Sequence, residues 1–130
     1  MNIELLQKEI DKTEYWDMLI LDIQIQYFGD EIIIYIENED TACWEIKFSC
    51  CYTVSYETDA IWRGNFKVKD IGPHSGYYGQ NISIKECEEN AEFIDISMDF
   101  SIMTMKVLCK NIEVKECNIE EMNFFWKSDK

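Results

Sequence analysis

The sequence is short of the residues that interrupt a chain. One proline and five glycines serve 130 residues, and Pro73 shares a single stretch with Gly72, Gly76 and Gly79. That stretch, Gly72-Pro73-His74-Ser75-Gly76-Tyr77-Tyr78-Gly79, reads as a loop. Alanine is nearly absent, while isoleucine leads the aliphatic residues. The balance favours strands, because a β-branched side chain suits a pleated surface better than a helix.

Other absences narrow the function. Histidine occurs once, at His74, and the six cysteines include no C-x-x-C pair, so no zinc pattern is present and no metal is expected. The segment from Met1 to Glu9 has neither a basic n-region nor a long apolar h-region, so no secretory signal is expected. No window approaches the roughly 18 uninterrupted apolar residues of a membrane span. A cytoplasmic protein with reduced thiols follows as the expectation. Cations are scarce as well: 12 Lys and Arg stand against 26 Asp and Glu, a formal charge of −14. Nucleic-acid binding needs cations to displace phosphate counterions, and an anionic membrane surface repels such a chain, so neither is an expected partner. A basic protein partner fits the imbalance, and so does plain solubility.

What is present is rhythm. From Ala42 to Tyr56 every second residue is apolar or aromatic: Ala42, Trp44, Ile46, Phe48, Cys50, Tyr52, Val54 and Tyr56. Between them lie mostly polar or small residues, from Cys43 to Ser55. A period of two puts one face in a core and the other in water. Fifteen residues span about 50 Å, beyond the usual strand, so this one is expected to bend or to cross between packed sheets.

The rest of the chain supplies partners for it. Asn2 caps a short helix carrying Ile3, Leu6 and Ile10, ending near Thr13. Residues 19–37 read as a β-hairpin reversing at Phe28-Gly29-Asp30-Glu31, with Leu19, Leu21, Ile23, Ile25 and Tyr27 on one face of its first strand. Further strands are expected over Phe66–Ile71, Asn81–Glu86, Glu92–Ile102 and Met103–Cys109. The apolar parity changes at Lys110-Asn111, where a β-bulge is preferred to a turn. Asn118 caps a short carboxy-terminal helix with Ile119, Met122 and Trp126 on one face. These elements predict a mainly β protein, an antiparallel β-sandwich or barrel-like sheet with short N- and C-terminal helices, in one domain over 1–130.

Chemistry is harder to find. His74 and Cys51 are the raw material for a nucleophile and base, but their spacing carries no signature. Asp95 and Asp99 share a strand face, as acids do by chance in so acidic a chain. Asp40, Asp59 and Asp70 form no ordered calcium motif, and the glycines fit no phosphate loop, so no cofactor is expected. What remains is a set of loop aromatics and their neighbours. Tyr56, Asp59, Trp62, Arg63, His74, Tyr77 and Tyr78 lie in segments expected at one end of the sheet, and Tyr, Trp and Arg dominate binding hot spots. Core plugging by Trp62 and one tyrosine is the structural alternative. A non-enzymatic binder of a basic protein is therefore the leading expectation. A small-molecule or lipid-binding cavity, an enzyme using Cys51 or an acid pair, and a homodimer through a sheet edge are the other readings.

The runs Cys43-Trp44-Glu45-Ile46-Lys47-Phe48, Tyr56-Glu57-Thr58-Asp59, Trp62-Arg63 and Gly76-Tyr77-Tyr78-Gly79-Gln80 have a further use. With the aromatic-Asp segment Tyr15-Trp16-Asp17 they resemble small uncharacterised bacterial proteins of about this length, some of them similar to immunity proteins of polymorphic toxin systems, over most of residues 16–115. The resemblance implies a cytosolic bacterial β-protein that binds a partner, and it brings no catalytic residues with it; a toxin is the partner such a protein would neutralise if it acts as an immunity protein.

Overall fold

The computed structural model describes residues 2–127, so the extreme ends of the expected 1–130 domain lie outside the described residues. Strands β1 (Ile20–Gln26), β2 (Glu31–Glu37), β3 (Ala42–Ser49), β4 (Thr53–Thr58), β5 (Tyr77–Glu86), β6 (Ile94–Ser101), β7 (Met103–Cys109) and β8 (Asn111–Asn118) form two antiparallel sheets. The first runs β1-β2-β3-β8 and the second β4-β7-β6-β5. Helix α1 (Ile3–Asp11) precedes them, and two single turns, α2 (Ala60–Arg63) and α3 (Val68–Ile71), lie between β4 and β5.

The long alternating run is the joint between the sheets. It breaks at Cys50, whose φ of 55° turns the chain, so that β3 lies in one sheet and β4 in the other. Its partner bends at the same level: β3 pairs with β8 and β4 with β7, and the change from β7 to β8 falls at Lys110. The parity change at Lys110-Asn111 is thus neither a bulge nor a hairpin turn. It is the second strand of a ribbon following the first around a corner.

Between the sheets lie Ile32, Ile34, Ile36, Ile46 and Phe48 from the first and Ile82, Ile94, Ile96, Phe100, Met105 and Val107 from the second, all essentially inaccessible to water. Burying each such side chain stabilises the fold by about 1.5–3 kcal/mol before conformational entropy is counted. The N-terminal helix forms where expected: Asn2 Oδ1 accepts from Leu5 N–H at 3.1 Å, and Ile10 is fully buried.

A second apolar layer was not anticipated. Leu19, Leu21, Ile33, Tyr35, Cys43 and Phe124 form a separate cluster on the far side of the first sheet. A register shift between Ile20 and Asp22 explains the break in the expected face of β1, because one extra residue inverts the side chains beyond it. Ile20 and Ile23 join the main core, whereas Leu19 and Leu21 face the second layer.

The tail covers that layer. Its expected helix is one 3-10 turn, Ile119–Glu121, with Asn118 Oδ1 accepting from Glu120 N–H at 2.9 Å. Beyond it the Lys127 ammonium donates to the carbonyls of Ile119, Glu120 and Met122 at 2.9, 3.1 and 2.6 Å. Phe124 then meets Tyr35 edge-on at 4.9 Å and stacks on Trp126 at 5.3 Å.

Two other expectations change. The strand over Phe66–Ile71 is instead the helical turn α3, closed by Gly72 N–H donating to the Val68 carbonyl at 2.8 Å. Gly64 and Gly72, with φ of 83° and 82°, bracket a segment that pairs with no strand among the described residues. Within the glycine-rich stretch, residues from Tyr77 onward belong to β5. There Gly79 N–H donates to the Met18 carbonyl and its own carbonyl accepts from Asp17 N–H. The Tyr15 carbonyl comes so close to Gly79 that no Cβ fits between them.

Candidate protein-binding surface

A sheet edge exposes backbone donors and acceptors that must be answered or left open. At β5, Gln7 acts as a surrogate peptide: its Nε2 donates to the Ile82 carbonyl at 2.9 Å and its Oε1 accepts from Ile84 N–H at 2.9 Å. The Tyr15 hydroxyl accepts from Ile82 N–H at 3.0 Å. At β1, the Trp126 indole donates to the Leu21 carbonyl at 2.7 Å, and the Asp22 carboxylate accepts from Ile23 N–H at 2.8 Å. Strand β8 lies against α1 and carries Glu113, Lys115 and Glu116, charges that discourage further pairing. Strand β4 differs. Its sequence, Thr53-Val54-Ser55-Tyr56-Glu57-Thr58, holds neither lysine nor proline, and among the described residues its only strand partner is β7.

This open strand leads directly into α2. The Asp59 carboxylate accepts from Ile61 N–H at 3.0 Å and Trp62 N–H at 3.2 Å, while Asp59 N–H donates to the Ile102 carbonyl at 2.7 Å. So anchored, the turn holds Ile61 90% and Trp62 78% exposed, with Tyr56 57% exposed on the strand before it. Large apolar side chains kept in water beside an open edge form a surface that association would bury.

The other residues expected there divide. Arg63 is half-buried and engaged internally: its Nη2 donates to the Phe66 carbonyl at 3.1 Å, and the guanidinium lies 5.8 Å from the Phe66 ring centre. Tyr77 is half-buried, its hydroxyl 3.4 Å from Thr58 Oγ1, which ties β5 to the end of β4. Tyr78 turns away, bridging to Leu19 and packing against the second apolar layer. His74 is exposed ahead of β5 and makes no hydrogen bond or ion pair among the described residues. The structure therefore joins Tyr56, Asp59, Trp62 and Arg63, links Tyr77 to them, and leaves Tyr78 apart.

Sequence reasoning overlooked Ile61 and the fully exposed Phe28. A signal existed for Phe28. It precedes Gly29 in the reversal that the sequence itself marks, Phe28-Gly29-Asp30-Glu31, and connecting segments run over the surface.

The thiols lie beside one another rather than beside His74. Cys51 lies at the corner, where the neighbouring Cys109 thiol lowers its pKa, while Cys51 and burial raise that of Cys109. His74 precedes Tyr77, which pairs with Ser101 at the opposite end of the second sheet, about 20 Å away at strand spacing. Cys43 faces Cys117 across β3 and β8, and its pKa is pushed up to about 11, first by burial and then by Cys117 and Glu45.

A cavity of about 240 Å³ opens beside β1, lined by Ile20, Asp22, Ile23, Val68, Tyr77 and Met103 among others. It falls short of the roughly 300–1,000 Å³ that drug-sized ligands occupy. Burial raises the pKa of Asp22 against the opposing hydrogen bonds from Gln24 and Ile23. The folded protein thus holds this proton more tightly than the unfolded chain. Its contribution is full below the ordinary carboxyl pKa and is lost as pH rises through the elevated one. Asp22→Asn is expected to raise the melting temperature at pH 7 and to lose that advantage near pH 3, as paired thermal melts would show. An equal gain at both values would mean that the carboxylate is not desolvated.

The sequence model of a family described as "Immunity protein PIM7" matches residues 2–116. The chain belongs to that family. The matched span contains both sheets almost whole and stops before most of the tail that covers the second layer. A crystal structure of an uncharacterized protein from Neisseria gonorrhoeae shares the PIM7-family chain's fold at a TM-score of 0.53, with 11% identity, over 78% of this chain and 92% of that one. No curated protein matches the chain. Among the described residues, no helix is long and apolar enough to cross a membrane.

Proposed function

We propose that this PIM7-family chain is a non-enzymatic immunity protein that neutralises a basic toxin in the cytoplasm by occupying it. The surface running from β4 through α2 makes the contact. The observation that carries this reading is the pair Ile61 and Trp62, held in solvent by the Asp59 cap beside Tyr56. Rigid aromatics bury large areas at low entropic cost, which suits them to supply affinity. The charge of −14 supplies long-range attraction to a cationic partner.

The two contributions separate experimentally. Association with a cationic toxin domain, sought among the products of adjacent genes and followed by stopped-flow fluorescence, is expected to slow by about 10–100-fold as salt rises, with dissociation little changed. A salt-independent association rate would remove electrostatic steering from the proposal. Absence of any complex would remove the proposal itself.

A further inference from the structure

We propose that the open edge of β4 takes up an extended, cationic segment of the partner protein as a fifth strand of the second sheet. This rests on the reading of the chain as a partner-binding immunity protein and specifies how the same surface engages.

The register settles which backbone groups are available. Asp59 N–H bonds the Ile102 carbonyl, continuing the pairing of Thr58 with Met103 and Glu57 with Thr104. In an antiparallel ladder, residues alternate between bonding the neighbour and facing away from it. Thr53, Ser55 and Glu57 therefore turn their peptide groups to β7. Val54, Tyr56 and Thr58 turn theirs to the open side, three donors and three acceptors at the spacing an added strand requires. Edges β5 and β1 have comparable groups answered by Gln7, Tyr15, Trp126 and Asp22, and β8 is charged and flanked by α1.

Charge selects the occupant. Antiparallel pairing of two copies through β4 would bring together chains of −14 each. A foreign strand with lysine or arginine opposite Glu57 gains a cross-strand pair instead. Its apolar side chains would meet Tyr56 and the exposed ring of Trp62, so main-chain bonds supply affinity and alternate side chains supply selectivity.

Amide hydrogen exchange tests this without a substitution. Val54, Tyr56 and Thr58 are expected to exchange rapidly in the free protein and about tenfold or more slowly in the complex with a cationic toxin domain. Two variants add a second readout. Tyr56→Ala removes the ring, whereas Tyr56→Pro also removes an outward N–H while sparing the ladder to β7. The proline variant is expected to bind about tenfold or more weakly than the alanine variant. Equal affinities, or unchanged exchange at the three amides in a toxin complex, would overturn the strand-addition proposal and leave the immunity reading standing. Concentration-dependent protection of the same amides in the free protein would make a second copy the occupant and overturn the cationic segment. Should the toxin not bind at all, the immunity reading falls, and an alternating Lys-Val peptide of about eight residues decides the edge. Protection of the three amides by that peptide supports the proposal, and its absence overturns it.

Discussion

Replacing Trp62 by alanine is expected to weaken the complex with the toxin by about 30-fold or more, the mark of a hot-spot residue worth roughly 2 kcal/mol. The fold is expected to be nearly indifferent, because surface substitutions cost within about 0.5 kcal/mol where nothing buried is lost. Trp62 is 78% exposed, and its structural duty is an N–H held by Asp59, which alanine retains. Titration calorimetry with the toxin domain, beside a thermal melt of the free protein, reads both quantities. Wild-type affinity in Trp62→Ala would show that α2 stands outside the interface. A lowered melting temperature would instead assign the ring to the fold. Substituting Asp59 offers no equally clean experiment, since its carboxylate organises α2 and its loss would disturb Ile61 and Trp62 together.

The second large effect concerns the tail. Phe124→Ala is expected to cost about 3–5 kcal/mol, the usual range for deleting a buried aromatic ring. Against a total stability of about 5–15 kcal/mol that loss is severe. Phe124 is 3% exposed, bracketed by Tyr35 and Trp126, and seals a layer that includes Cys43. Burial is the main cause of the high pKa of Cys43, so opening the layer should also bring that thiol toward ordinary reactivity. Denaturant unfolding measures the first consequence, and the labelling rate of Cys43 measures the second. An unchanged labelling rate with unchanged stability would mean that the tail does not cover this face in solution. The layer matters to function indirectly, because Trp126 in the same tail closes the β1 edge. Guarding that edge leaves β4 as the place where an added strand meets least competition.

Several elements were legible because their physics is local. Asn2 caps α1 and Gly29 relaxes the β1–β2 reversal as their residue types demand. The alternation of Trp44, Ile46 and Phe48 chose the inner face of β3 correctly. The run containing them did not announce its break, because Cys50 is neither glycine nor proline and takes its positive φ only where two packed sheets require a corner. Likewise Phe66–Ile71 alternates well enough for a strand, yet among the described residues no strand lies beside it to complete a ladder. The candidate surface was half visible. Composition pointed to Tyr56, Trp62 and Arg63 together, but whether each ring faced water depended on distant partners. Arg63 was drawn to Phe66 and Tyr78 to the second layer, while Ile61 was left outside.

Alone, the order of residues determined a β-rich chain of strongly negative formal charge, since side-chain periodicity and the number of ionisable groups are properties of the chain itself. Three-dimensional packing decided where the ribbon folds, which face the tail conceals and which edge stays bare. Each of those depends on atoms far apart in sequence competing for the same surface, and only the folded chain brings them within reach.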